Sequence, residues 1–284
     1  MRQIPFFAPY SDGHVAAVVT LPDERPRGLV VTLTGTGLYQ VIGSKFCART
    51  AARLAEDGLA AVRLDYAGVG DSTGLVSGWR ITDVDEVVRQ TRAALDAAMD
   101  AVGVTHFATA GTCYGSRVAL RLLDDPACVG AVCLASPILE FGGWTTLRRT
   151  LRDRPVFSYI RTQPHLRRLI VVPIRSLLKE RKPAERVVAA LSHLDRARLL
   201  FLYSENAARD HYSEAAARRL VAAAAALPED QRDRFDLRIL ETGPLTAFDL
   251  LSDNDADIIV GEVASWLNAC FEPSRTGCEL EPAA

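Results

Sequence analysis

Gly111-Thr112-Cys113-Tyr114-Gly115 joins a short β-rich run at 105–110 to an amphipathic run at 115–124. This is the spacing of a Gly-x-Ser-x-Gly nucleophile elbow with sulfur in place of oxygen. The chemistry it offers is covalent. A sharp strand-to-helix turn pushes one side chain up from the sheet edge, and small residues on both sides let backbone segments pass closely. The start of a helix beneath the turn favours negative charge, which predicts a lowered thiol pKa and a ready thiolate at Cys113. Most free cysteines are buried small hydrophobes, and a Gly-rich turn alone does not make one reactive. The position between a predicted strand and a predicted helix favours the reactive reading here.

Such a nucleophile needs a scaffold, and the chain alternates strand and helix signals along its length. Residues 14–20, 28–34, 59–64, 105–110, 129–135, 199–204 and 235–241 read as strands. Residues 44–57, 83–101, 115–124, 213–226 and 257–270 read as helices, with Val84, Val87, Val88, Thr91, Ala94, Leu95 and Met99 near helical spacing in the second. Apolar strands alternating with helices predict an α/β fold, a mainly parallel sheet covered on both faces. Over sixty residues separate the strands at 129–135 and 199–204, where one crossover helix would suffice. This segment, about 138–195, reads as an inserted helical lid containing Trp144, Phe157, Tyr159 and His165. Residues 148–186 hold twelve Arg/Lys against Asp153, Glu180 and Glu185, a net +9. A solvated helix face explains most charge runs, but this excess points to a lid that faces anions.

The composition of the 284 residues, 49% hydrophobic and 24% charged, is that of an ordinary globular chain and excludes a disordered or collagenous one. A formal charge of −2 argues against a general nucleic-acid binder. Six scattered cysteines form no CxxC pair and have no histidine at metal-ligand spacing, so neither a metal nor a cofactor is expected. Cys47, Cys128, Cys133 and Cys270 fall in predicted elements and read as core, while Cys278 lies in a polar tail. The first residues lack the apolar core of a signal peptide, and no stretch reaches the ~18 apolar residues of a membrane span. A reduced, cytoplasmic setting without membrane contact is therefore expected.

Two further segments follow strands. Thr34-Gly35-Thr36-Gly37 leaves the strand at 28–34, and Asp65-Tyr66-Ala67-Gly68-Val69-Gly70-Asp71-Ser72-Thr73-Gly74 leaves the strand at 59–64. Together with the elbow they resemble the α/β-hydrolase superfamily. More narrowly, Gly43-Ser44-Lys45-Phe46, Arg63-Leu64-Asp65-Tyr66 and Gly70-Asp71-Ser72-Thr73-Gly74 resemble the small hydrolases associated with exosortase systems, some of which carry cysteine in the elbow. Dienelactone hydrolases also do, with a poorer overall fit. The resemblance is good over about residues 14–136 and loose afterwards. It implies one α/β-hydrolase domain over 1–284, with Cys113 as nucleophile and the amides of Thr36 and Tyr114 as oxyanion hole. Gly35, Gly37, Trp144, His165 and Leu245 would then line the substrate. The Asp65–Gly74 segment reads as a turn that shapes the fold.

The chain departs from that pattern at the base. In the superfamily the acid follows the strand after the lid, and the histidine follows the last strand. Here the last strand runs into Glu241-Thr242-Gly243-Pro244-Leu245, with Leu245 or its neighbour at the histidine position and no histidine beyond His211. The acid would fall near Asn206 or Ala207, and Asp210 comes one helical turn late. Asp210 and His211 are the substitutes on the catalytic side, whereas His14, His106 and His193 are expected on the face away from the elbow. A cysteine without a base hydrolyses poorly, because water must be deprotonated to cleave the acyl-enzyme. Exchange of one thiolate for another is less demanding. The expectation is a Cys113-dependent acyltransferase acting on a small acyl substrate bound to coenzyme A or to a carrier protein. A cysteine hydrolase or thioesterase with a relocated histidine is the first alternative, and a non-catalytic binding module the second.

Overall fold

The computed structural model describes residues 1–34, 45–74, 84–136, 185–205 and 214–272. Eight strands, β1 (Arg2–Tyr10), β2 (Gly13–Leu21), β3 (Leu29–Leu33), β4 (Ala60–Leu64), β5 (Phe107–Thr112), β6 (Cys128–Leu134), β7 (Arg198–Ser204) and β8 (Phe235–Leu240), build one sheet. Their spatial order is β1-β2-β4-β3-β5-β6-β7-β8. β2 runs antiparallel to β1 and β4, and all other neighbours are parallel. The described helices are α1 (Lys45–Glu56), α2 (Val84–Val102), α3 (Tyr114–Leu122), α4 (Glu185–Ala189), α5 (Glu214–Ala225), α6 (Glu229–Arg232) and α7 (Asp253–Cys270).

The central strands are buried on both sides, so their sequences read as mostly apolar runs, LVVTL in β3 and AAVRL in β4, broken only by the buried Thr32 and Arg63. Side chains alternate between two cores. Leu29, Val31 and Leu33 join Leu95 of α2 and Val118 of α3 on one face, while Val30 joins Leu54 of α1 and Ile259 of α7 on the other. The stripe expected on the second helix is largely what α2 buries: Val84, Val87, Thr91, Ala94 and Leu95, with Ala98 completing it. At the start of α7 the Ser252 hydroxyl accepts from the Asp255 amide at 3.1 Å, a cap that lengthens this helix beyond the 257–270 expected. Arg49 of α1 reaches Asp253 at 2.9 Å and Asp257 at 2.5 Å, which ties α1 to α7 at the surface.

Two findings differ from the sequence reading. β1 was not expected, since Pro5 and Pro9 interrupt it; it is the exposed edge strand, where a missing amide breaks no ladder. His14 does not lie on the face away from the elbow. Because β2 is antiparallel, its first residues lie at the edge where the parallel strands end, and Asp65 Nα–H donates to the Ala16 carbonyl there at 2.9 Å. His14 is nevertheless three strands from β5, about 14 Å across the sheet, and its ring contacts the Asp71 carbonyl and Phe7. His106 and His193 precede β5 and β7 and so do lie at the opposite edge.

The Asp65–Gly74 turn is tied down throughout. The Ser72 hydroxyl donates to the Asp65 carbonyl at 2.6 Å and accepts from the Ala16 amide at 2.8 Å. Gly70 has φ +53°, and a Cβ there would stand 1.9 Å from the Asp65 carboxylate. That is the architecture of a fold-shaping turn. Of the expected lid, residues 138–184 lie outside the described residues. Its end, α4 and a 3-10 turn Ala190–His193, leads into β7. Arg196 fixes that entry by donating to the Leu123 and Asp125 carbonyls at 2.7 and 2.8 Å.

Candidate active site

β5 ends at Thr112, α3 begins at Tyr114, and Cys113 between them has φ 51° and ψ −106°. A non-glycine residue rarely adopts this conformation, which costs on the order of 1–3 kcal/mol and persists only where surrounding contacts impose it. Those contacts are visible. The Cys113 amide donates to the Leu134 carbonyl of β6 at 2.8 Å. The buried Ser116 hydroxyl donates to the Gly111 carbonyl at 2.7 Å and lies 3.1 Å from the Leu134 carbonyl. Both glycines of the pentapeptide are required sterically. A Cβ on Gly111 would sit 2.4 Å from the Gly115 backbone, and one on Gly115 would sit 2.6 Å from the Leu33 carbonyl oxygen of β3. The helix is therefore pressed against two strands, and the residue at the apex has the strained backbone of an elbow.

The electrostatics of Cys113 correct the expected thiolate. Burial pushes its thiol above the ordinary value, and the Tyr114 amide and the Arg117 charge offset this only in part. The helix start acts in the predicted direction, but loss of water around the sulfur outweighs it. Cys113 rests as a thiol. Cys128 and Cys133 are completely enclosed, and Cys128 is pushed up to about 12, which fits the core role expected of them.

Tyr114 is buried at 8% exposure, the first residue of α3, with its amide placed to favour the Cys113 thiolate. Leu245 opens a 3-10 turn, Leu245–Leu250, after β8 and is only 2% exposed. It shares a core cluster with Phe46 and Phe248, whose rings meet edge-on at 5.3 Å. Gly35, Thr36, Gly37, Trp144, His165, Asp210 and His211 lie outside the described residues. Thr34, just before the oxyanion segment, does approach the elbow: its carbonyl oxygen would stand 2.8 Å from a Cβ on Gly115 and accepts from the Tyr66 hydroxyl at 3.2 Å.

Two features near the elbow carried no recognised sequence signal. Ala135, at the end of β6, has φ +48°, a second non-glycine strain point beside the first. Arg117, four residues after Cys113, is an exposed residue on a helix turn that is otherwise buried. Among the described residues no group of three His, Cys, Asp or Glu side chains could hold a metal ion, and no helix is long and apolar enough to cross a membrane.

A mainly parallel eight-stranded sheet with helices on both faces and a strained elbow after its fifth strand in space defines the α/β-hydrolase fold. Residues 24–167, which include the elbow, match the hydrolase family described as serine aminopeptidase, S33, and the chain belongs to that family. Solved structures agree in fold. An esterase from Pyrococcus furiosus is 13% identical over 95% of this chain and 92% of its own, with a TM-score of 0.61. A proline iminopeptidase-related protein from Thermus thermophilus is 18% identical over 95% and 100%, with a TM-score of 0.56. A dienelactone hydrolase from Anabaena variabilis is 12% identical over 93% and 96%, also at 0.56. No curated protein matches the sequence. Family and fold together support a hydrolase-type enzyme.

Proposed function

We propose that the protein transfers acyl groups through a thioester on Cys113, taking them from an acyl thioester of coenzyme A or of a carrier protein. The observation that carries this reading is the strained elbow with sulfur at its apex, φ 51°, in a chain whose last strand leads to a buried leucine instead of a histidine. The resemblance of the flanking segments to exosortase-associated hydrolases with a cysteine elbow supports it further. In the first step Cys113 Sγ bonds to the acyl carbon as its proton is lost. The substrate carbon–sulfur bond breaks, and the departing thiolate takes up a proton. In the second an amine or thiol acceptor attacks the new thioester, and Cys113 recovers its proton as the acyl group leaves. Neither step requires water to be deprotonated, which is the demand a missing base cannot meet. The amides of Thr36 and Tyr114 are assigned to the developing oxyanion. The basic segment 148–186 is assigned to the phosphate or acidic surface of the donor.

The family name favours a second reading, hydrolysis, with His211 and Asp210 or His165 supplying the base. Intact-protein mass spectrometry after incubation with an acyl thioester separates these readings. A lasting adduct on the parent that is absent from Cys113→Ala supports transfer. Rapid product without an adduct, lost by two or more orders of magnitude in His211→Ala, the usual scale of a general base, establishes the hydrolase. Neither adduct nor product leaves a non-catalytic binding module.

A further inference from the structure

Arg117 stands one helical turn beyond the elbow residue. On α3, residues 114–116 and 118–120 are buried and Arg117 alone is exposed. Other helical arginines have acidic partners: Arg49 of α1 has Asp253, Arg92 of α2 has Asp96, and Arg121 of α3 itself has Asp85 and Asp124. Among the described residues Arg117 has no ion-pair or hydrogen-bond partner. Side chains on a helix lean toward its start, and Arg117 lies one turn from the end of α3 that carries Cys113, so the guanidinium is carried toward the elbow. Its charge is felt at the sulfur, where it favours the thiolate. An arginine held in a helix beside a nucleophile, with no partner among the described residues, suits an anionic oxygen pair on whatever reacts there.

We propose that Arg117 binds an anionic group of the substrate beside Cys113, so that the preferred reactants carry a carboxylate or phosphate close to the reacting carbon. This rests on Cys113 as the nucleophile but not on acyl transfer. The test compares alkylation of the native protein at Cys113 by iodoacetate, which is anionic, and iodoacetamide, which is neutral and of similar size. In both reactions sulfur displaces iodide and the thiol proton goes to solvent. At low ionic strength the iodoacetate-to-iodoacetamide rate ratio at Cys113 should exceed that of free N-acetylcysteine by about fivefold, the scale of one screened charge pair near a protein surface. Arg117→Gln should bring the ratio down to the free-thiol value, Arg117→Lys should keep most of it, and Arg117→Glu should push it below. The excess should also fade with salt. An unchanged ratio in Arg117→Gln, or a Cys113 that neither reagent modifies in the folded protein, overturns the proposal. Absence of an acyl adduct from thioesters, with the Arg117-dependent ratio intact, would sink acyl transfer and leave the anion site standing. Succinyl and butyryl thioesters of N-acetylcysteamine, and butyryl-coenzyme A, then tell an acyl-borne carboxylate from a thiol-borne phosphate.

Discussion

At Cys113 two effects act on one sulfur in opposite directions. The Tyr114 amide and Arg117 favour the thiolate, whereas burial favours the thiol, and burial prevails. The folded protein therefore holds this proton more tightly than a free thiol of pKa about 8.5 does. Reactivity with a neutral reagent should climb with pH and still be climbing above about 8.5, because the thiolate fraction is what reacts. Stopped-time alkylation with iodoacetamide, read at Cys113 by peptide mass spectrometry, measures this. A plateau near neutral pH would instead reveal an imidazolium partner, supplied by His211 or His165. The enclosed Cys128 and Cys133 should remain unmodified in the native protein throughout.

At the scale of elements, the elbow works because α3 is pressed against β3 and β5 at two glycines. Gly115→Ala should destabilise the protein by about 1–3 kcal/mol, the usual cost of overpacking, since its Cβ would meet the Leu33 carbonyl at 2.6 Å. It should also slow Cys113 alkylation by displacing the helix start. Gly261→Ala in α7 is the contrast: nothing lies within 4 Å, so urea unfolding should show equal or slightly raised stability. The turn after β8 sets another expectation. Leu245 is 2% exposed in an apolar cluster, so Leu245→His places an imidazole among Phe46 and Phe248 and leaves it short of partners. It should cost about 1–3 kcal/mol in denaturant unfolding and should not raise hydrolysis. Faster hydrolysis at unchanged stability would mean that this turn opens toward the elbow.

On the scale of the whole molecule, charge is unevenly distributed along a chain of net −2, with +9 concentrated in residues 148–186. Docking of a phosphate-bearing or acidic donor on that segment predicts an apparent KM that rises with salt, because the Debye length shrinks from ~10 Å at 0.1 M to ~3 Å at 1 M. Joint reversal of Arg148, Arg149 and Arg152 to glutamate should raise KM at low salt, flatten the salt dependence and leave circular dichroism unchanged. A KM indifferent to salt in the parent protein would mean that the basic segment is only solvated. This dependence should survive Arg117→Gln, which acts at the reacting carbon alone.

How much was legible follows from how local each cause is. The pentapeptide around Cys113, the apolar runs of β3 to β7 and the stripe of α2 are readable in the sequence because backbone sterics and burial period act over a few residues. The absence of a histidine after β8 is likewise a property of the chain itself. β1 escaped because an exposed edge strand with two prolines has neither a buried face nor a complete ladder to impose a pattern. Tertiary structure decided the rest. The antiparallel β2 carries His14 to the edge where the parallel strands end, yet the strand order keeps it three strands from the elbow. The balance at the Cys113 sulfur was decided in the same way. Helix start and neighbouring charge are written in adjacent residues, but desolvation depends on how completely distant segments enclose the site, and that larger effect sets the protonation state.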